Sequence, residues 1–428
     1  MFKKAIGIIA EYNPFHMGHL HHVENASSSG DPVIVALSSN FTQRGKPAFI
    51  DKWSRAEMAL LSGADLVLEL PVVFSCHNAG VFANAGVDIM KSTGVVNRLS
   101  FGMETISPKL QDIVAILVEE PKPFKLNLRK FLNEGFSYVE SRARAMDCAY
   151  PGAGGILSQP NNSLAISYMM RIEEKGYDIT PLPVKRAGAG YHDRSISVEF
   201  PSATAIRKGI RGKREKAFQQ VPPFSRKILE REISRGRCFL DNDTLWEKIR
   251  FLMTRTSGEE LGKYAEFGEG IENRFMKALG KSTDWEDFID RCTSRRYPRG
   301  RLQRNMMHFL IGLGHEENRA YQKEGPAYLR PLGATKRGRD LLKRIDEVGT
   351  LPVISKFAQL DRDYGRSMLL MERRSCDIWE LLLPGGTPGK DARTPPIIVE
   401  SPYRNGGTSP GDDDTHRGEP SPVPALLS

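Results

Sequence analysis

Between Ala5 and Gly102 the chain alternates short apolar runs with stretches of helical periodicity, and this alternation restricts the fold more than any other feature. Ala5–Ala10 (AIGIIA), Pro32–Ser38 (PVIVALS) and Asp65–Leu70 (DLVLEL) read as strands, with Arg98–Gly102 as a shorter fourth. A helix opens near His16, a second covers Lys52–Ser62 with Asp51 as its N-cap, and a third covers Gly80–Ser92. Strands joined by helices of this length form βαβ units and a parallel sheet. Ligands of such sheets sit beyond the carboxyl ends of the strands. Helices are then expected across 108–146, over Asn162–Lys175 and from Ser202 to Ile210, with a strand at Ile179–Val184.

The expected fold is α/β. A Rossmann-like parallel-sheet domain covers 1–211, a mostly α-helical region covers 212–398, and a Pro-, Gly-, Ser- and Asp-rich segment over 399–428 is expected to be disordered. With 428 residues, 40% hydrophobic and 26% charged, the chain has material for a large core and is not a disordered or collagen-like polymer. No run of about 18 apolar residues predicts a membrane span. The N-terminal apolar run is cut by Glu11, so it reads as a strand and not a signal peptide. The five cysteines, Cys76, Cys148, Cys238, Cys292 and Cys376, form no Cys-x-x-Cys pair, which points to a reducing cytoplasm and no zinc site. Lysine and arginine number 61 against 52 acids, a net charge of +9 that tilts the expected partner toward phosphates or nucleic acid.

Two segments carry chemistry. In GIIAEYNPFHMGHL an apolar strand ends, the chain turns at Asn13-Pro14, and His16-x-Gly18-His19 opens a helix. Histidines three apart share a helix face, and a helix N-terminus offers backbone N–H groups and the positive end of its dipole. Gly18 allows close approach of a ligand. The pattern predicts a phosphate cradle with two imidazoles for oxygens that gain charge in a transition state. In PSATAIR, Ser202 caps a helix while Thr204 and Arg207 offer donors suited to nucleotide β- and γ-phosphates.

Together these motifs resemble the nucleotidylyltransferase superfamily, and the chain as a whole resembles the tRNA(Met) cytidine acetate ligase family. The similar stretches are GIIAEYNPFHMGHL, NFTQRGKPAFIDKWSRAEMAL, SGADLVLELP, FGME, QPNNSLAISY, KRAGAGYHD, PSATAIRKGI, RRYPRGRLQRNMMHFLIGL and YLRPLGATKRGRDLL, spanning residues 1–398. The resemblance implies an ATP-dependent enzyme of the cytoplasm that activates acetate as acetyl-adenylate. The acetyl group then passes to N4 of the wobble cytidine of elongator tRNA(Met). It implies an ATP-binding segment of Gly7, Ile8, Ile9, Ala10, Glu11, Tyr12, Asn13, Pro14, Phe15, His16, Met17, Gly18, His19 and Leu20, joined by Gly102, Asn162 and Arg186, with Ser202, Thr204 and Arg207. His16 and His19 are the expected catalytic residues. Met17, Ser39 and Met103 depart from the usual family pattern, and none removes a group the chemistry needs. Magnesium is expected to accompany ATP, although the sequence shows no dedicated metal cage. No membrane is expected as partner, and the oligomeric state stays open.

Two stretches are basic. Arg291 to Arg304 holds six arginines and no acid, and Arg207 to Arg237 holds eleven basic residues against three acids. Arg295, Arg296, Arg299, Arg301 and Arg304, around Tyr297, are the expected tRNA contacts. Arg44, Lys46, Lys52 and Arg55, past the second strand, could meet pyrophosphate or tRNA, or be solvated. His192-Asp193 could act as an acid/base pair or close a loop. The glycine-rich run at Gly385–Lys390 lacks the spacing of a phosphate-binding lysine loop. The rival readings are a small-molecule adenylyltransferase of the same superfamily and a tRNA-binding protein with a vestigial nucleotide pocket.

Overall fold

The computed structural model describes residues 4–186, 203–212, 214–355 and 363–400. Its main sheet has seven strands: β1 (Ala5–Ala10), β2 (Val33–Ser38), β5 (Leu66–Leu70), β6 (Val96–Met103), β7 (Thr180–Lys185), β8 (Pro331–Thr335) and β9 (Ile397–Val399). A small hairpin, β3 (Phe41–Thr42) with β4 (Lys46–Pro47), stands apart. The order across the sheet is β7-β6-β1-β2-β5-β8-β9. The pairs from β7 to β5 are parallel, β5 and β8 are antiparallel, and β8 and β9 are parallel to each other. The chain leaves β1 first toward β2 and β5, then returns to β1's other side with β6 and β7. The switch in direction therefore falls at the carboxyl ends of β1 and β6, where a ligand is expected.

Alternation along the strands builds two cores. Val33, Val35 and Leu37 face one side of the sheet, with Val23 of α1 (Met17–Ser27) and Met58 of α2 (Lys52–Leu61). Ile34 and Ala36 face the other, with Phe82 and Ile89 of α4 (Ala79–Ser92), which follows the short α3 (Val72–Ser75). β2 and β5 are buried throughout, which is why both read as unbroken apolar runs rather than alternating ones. Asp51 caps α2 as its sequence predicts, accepting from Ser54 N at 2.7 Å.

The region expected to be helical is so for most of its length, from Pro223–Ser234 to Asp363–Glu380. Trp246, Phe275 and Trp285 gather around Phe288, with ring centroids 4.9 to 6.2 Å from it. It also supplies β8 and β9, which the helical reading of 212–398 did not include. Strands of five and three residues are too short for a period-two signal, and Pro331 and Gly333 interrupt β8. Gly333 is needed there, because a Cβ would lie 2.8 Å from Ile397 O. The segment expected to be disordered from 399 begins inside β9, and residues 401–428 lie outside those described. The five cysteines carry no disulfide.

Candidate active site

The loop from β1 to α1 is held from below. Arg55 is fully buried and donates to Glu11 O at 2.7 Å, Ser38 Oγ at 3.1 Å and Ser39 O at 2.7 Å, which ties the carboxyl ends of β1 and β2 together. Asn13 Oδ1 accepts from Phe49 N at 2.7 Å, and Phe15 is buried against Phe224. The chain passes through a left-handed Tyr12 (φ 46°) and a cis Asn13-Pro14 bond before α1 opens.

His16 caps α1. Its Nδ1 accepts from Gly18 N at 3.1 Å, and its own N–H donates to His19 Nδ1 at 3.3 Å. The two rings stack with centroids 3.6 Å apart and planes 22° from parallel. Burial, then the Arg186 charge, pushes His16 down to about 4. Burial, then the charges of His16, Arg186 and His22, holds His19 well below the ordinary histidine range. Both are neutral near pH 7. A ring nitrogen that accepts a backbone N–H carries no proton, so each ring bears its hydrogen on Nε2. The pair therefore presents two Nε2–H donors.

The other predicted contacts converge here in part. A Cβ on Gly102 would lie 3.2 Å from Arg186 Cγ, so the glycine at the end of β6 makes room for the arginine that follows β7. Arg207 donates to Asn13 O and, at 3.0 Å, to Thr204 Oγ1, which joins the second motif to the His-x-Gly-His loop. Ser202, His192 and Asp193 lie outside the described residues. Asn162 is buried, accepting from Glu104 N at 2.9 Å and Thr105 N at 3.2 Å while donating to Thr105 O at 3.0 Å. It shapes the loop after β6 instead of presenting a free amide.

Several expectations need correction. Gly7 and Ile8 belong to the packed interior: a Cβ on Gly7 would lie 2.9 Å from Met90 Sδ, and Ile8 is buried among the residues beneath α1. The first-turn N–H groups of α1 are engaged within the chain, Met17 N with Gln220 O at 3.2 Å and Gly18 N with the His16 ring. Lys52 and Arg55 are fully buried and face neither pyrophosphate nor tRNA. Lys52 lies 2.6 to 2.8 Å from carboxylate oxygens of Glu69, Glu372 and Asp391. In the glycine-rich run, which was not expected to bind phosphate, Lys390 pairs with Asp51.

Four of the five arginines expected to bind tRNA meet acids outside the run, which its own sequence could not reveal. Arg299 pairs with Glu286 and Asp290, Arg301 with Glu269 at 3.2 Å, and Arg296 with Glu269 at 3.4 Å. Arg304 is only 12% exposed and bonds Glu266 at 3.0 Å, an interior tie. Arg295 is exposed and lies 3.3 Å from the centroid of the Phe136 ring.

Sequence reasoning missed His22 and Ser100. His22 continues the three-residue spacing of His16 and His19, which was the available signal. Its Nε2 lies 2.9 Å from Ser100 Oγ, and burial, then the Arg186 charge, pushes it down to about 4. Among the described residues one set could hold a cation: His77, Glu266 and His308, with ligand atoms within 4.8 Å of one another. Arg304 already supplies positive charge there, 3.0 Å from Glu266. Among the described residues no helix is long and apolar enough to cross a membrane.

A parallel sheet that switches direction beside a His-x-Gly-His helix start, with an arginine facing the two imidazoles, defines a nucleotidyltransferase-type site. The HIGH nucleotidyl transferase family model matches residues 3–392. The chain is 35% identical over 412 residues to tRNA(Met) cytidine acetate ligase of Syntrophomonas wolfei, covering 92% of this chain and 99% of that one. It is 37% identical over 363 residues to the ligase of that name from Caldanaerobacter subterraneus, covering 83% and 89%. The crystal structure of Thermotoga maritima TmcAL bound with alpha-thio ATP is similar with a TM-score of 0.86 and 29% identity, covering 93% of this chain and 100% of that chain. The chain belongs to the tRNA(Met) cytidine acetate ligase family.

Proposed function

We propose that this chain couples ATP to the acetylation of a cytidine in tRNA(Met): acetate is first activated as acetyl-adenylate, and the acetyl group then moves to N4 of the wobble cytidine of the elongator tRNA. The observation that carries this reading is the stacked, neutral His16–His19 pair facing Arg186 at the sheet's switch point.

In the first step an acetate oxygen attacks the α-phosphorus, the bond to the bridging oxygen breaks, and pyrophosphate leaves. Negative charge builds on the non-bridging α-oxygens, and the Nε2–H groups of His16 and His19 donate to them. Neutral imidazoles do this without losing a proton, so the rings return unchanged. Arg186, which pairs with no carboxylate among the described residues, counters the charge. Thr204 and Arg207, with Ser202, are assigned to the β- and γ-phosphates. In the second step N4 attacks the acetyl carbon, AMP leaves, and the new amide gives up one proton. Magnesium would come with the ATP phosphates. Around His16 and His19 no set of three metal ligands occurs among the described residues, so no step is assigned to it. Arg295 and Arg296, the exposed pair, are assigned to the tRNA backbone, and the cytoplasm is the expected compartment.

The test is pyrophosphate release by the purified chain with ATP, with and without acetate, followed by acetyl transfer to tRNA. Acetate-dependent release and N4-acetylcytidine in the tRNA are expected. Release that depends on a different small molecule and ignores tRNA would favour the adenylyltransferase reading.

A further inference from the structure

Ser100 and Gly102 are two residues apart on β6, so both face the α1 side of the sheet, while Leu99, Phe101 and Met103 face the opposite core. Each has a nitrogen-bearing side chain packed beside it on that side. His22 Nε2 lies 2.9 Å from Ser100 Oγ, and the Arg186 stem lies against Gly102. A strand rises about 3.3 Å per residue, so the two groups stand roughly 6–7 Å apart along it. That span fits one carboxylate between donors at about 2.8 Å on either side.

We infer that His22, anchored by Ser100, and Arg186 form the subsite for the carboxylate of the acid substrate, next to the α-phosphate held by His16 and His19. Three residues of helix rise are about 4.5 Å, so His22 stands one step along α1 from His19. A nucleophile held there would approach phosphorus from beside the histidine pair. The hydrogen bonding agrees. His16 and His19 accept at Nδ1 and donate at Nε2, whereas His22 uses Nε2 toward Ser100. The Ser100 hydroxyl can rotate to donate to that nitrogen, which puts the His22 hydrogen on Nδ1, and Nδ1 makes no other hydrogen bond among the described residues. His22 is half-buried, not sealed in, and no acid among the described residues pairs with Arg186 or His22.

This subsite rests on the proposed acetate activation, and its test separates the two. Pyrophosphate release is measured with acetate and ATP varied in turn. His22→Ala is expected to raise the acetate KM about tenfold or more, since a donor to a charged group is lost, while the ATP KM stays within about twofold. His22→Asn, which keeps a donor near the Nδ1 position, should recover most of that loss, and Ser100→Ala should fall between. A titration of ¹³C-labelled acetate by NMR, without turnover, should show weakened binding in His22→Ala. A folded His22→Ala chain with unchanged acetate KM, or with ATP KM raised equally, would overturn the subsite while leaving acetate activation standing. Wild-type chain that releases no pyrophosphate in response to acetate would overturn both.

Discussion

Two imidazoles stacked 3.6 Å apart would repel if both were charged, and burial keeps His16 and His19 neutral. His19→Ala is therefore expected to lower adenylate formation about 10²–10³-fold while the chain stays folded, since the ring is partly exposed and its loss leaves no sealed cavity. A folded His19→Ala chain with near-normal activity would refute its role. The same neutrality has a stability consequence. His16 and His22 titrate near 4 when folded and near 6.5 when unfolded, so the unfolded chain takes up their protons first as pH falls. Stability should decline from about pH 6.5 to about pH 4, and urea midpoints across that window should decline less steeply in His22→Asn. Asp51, held at about 2 chiefly by Lys390 against the effect of burial, adds its loss only below that window. The His-x-Gly-His pair was legible because its spacing and its place after a strand are both local. His22 lies just beyond the motif, and its significance depends on Ser100, 78 positions away.

At the scale of elements, Arg207 links the helix Ala203–Gly212 to the β1–α1 loop through Asn13 O. Arg207→Ala should raise the ATP KM more than the tRNA KM, because both its contact and the pose of the histidine loop change; a selective effect on tRNA would refute this. The helix Lys336–Val348 presses so closely on the start of β5 that a Cβ on Gly338 would come 1.8 Å from Asp65 O. Backbone cannot yield as a side chain can, so Gly338→Ala should destabilise by about 1–3 kcal/mol or more, read as a lower thermal midpoint. The βαβ alternation and the Asp51 cap were readable because they depend on neighbours in sequence. β8 and β9 were not, because what makes them strands is the open edge of β5, which no local pattern records.

For the whole molecule, sequence gave a run of arginines without acids, and folding brings the acids in from Glu266, Glu269, Glu286 and Asp290. The two classes of arginine should separate experimentally. Replacing Arg295 and Arg296 together by alanine should flatten the log–log salt dependence of tRNA binding by roughly 1.4 to 1.8 units, with acetyl-adenylate formation intact. Arg304→Ala should leave that slope unchanged and lower stability, because Glu266 would lose its guanidinium partner in the interior. A changed slope in Arg304→Ala would place it on the RNA surface after all.

The buried ammonium of Lys52 also sets an order of events during synthesis. Lys52 and Glu69 leave the ribosome early, whereas Glu372, Asp391 and both strands beyond β5 are made hundreds of residues later. Until then the nascent nucleotide-binding half holds a strand edge without its neighbour and a lysine with one of its three acids. Its last interior charges are neutralised only once Glu372 and Asp391 have been made, so a ribosome stalled before Glu372 should display a half-finished enzyme that chaperones and proteases can recognise.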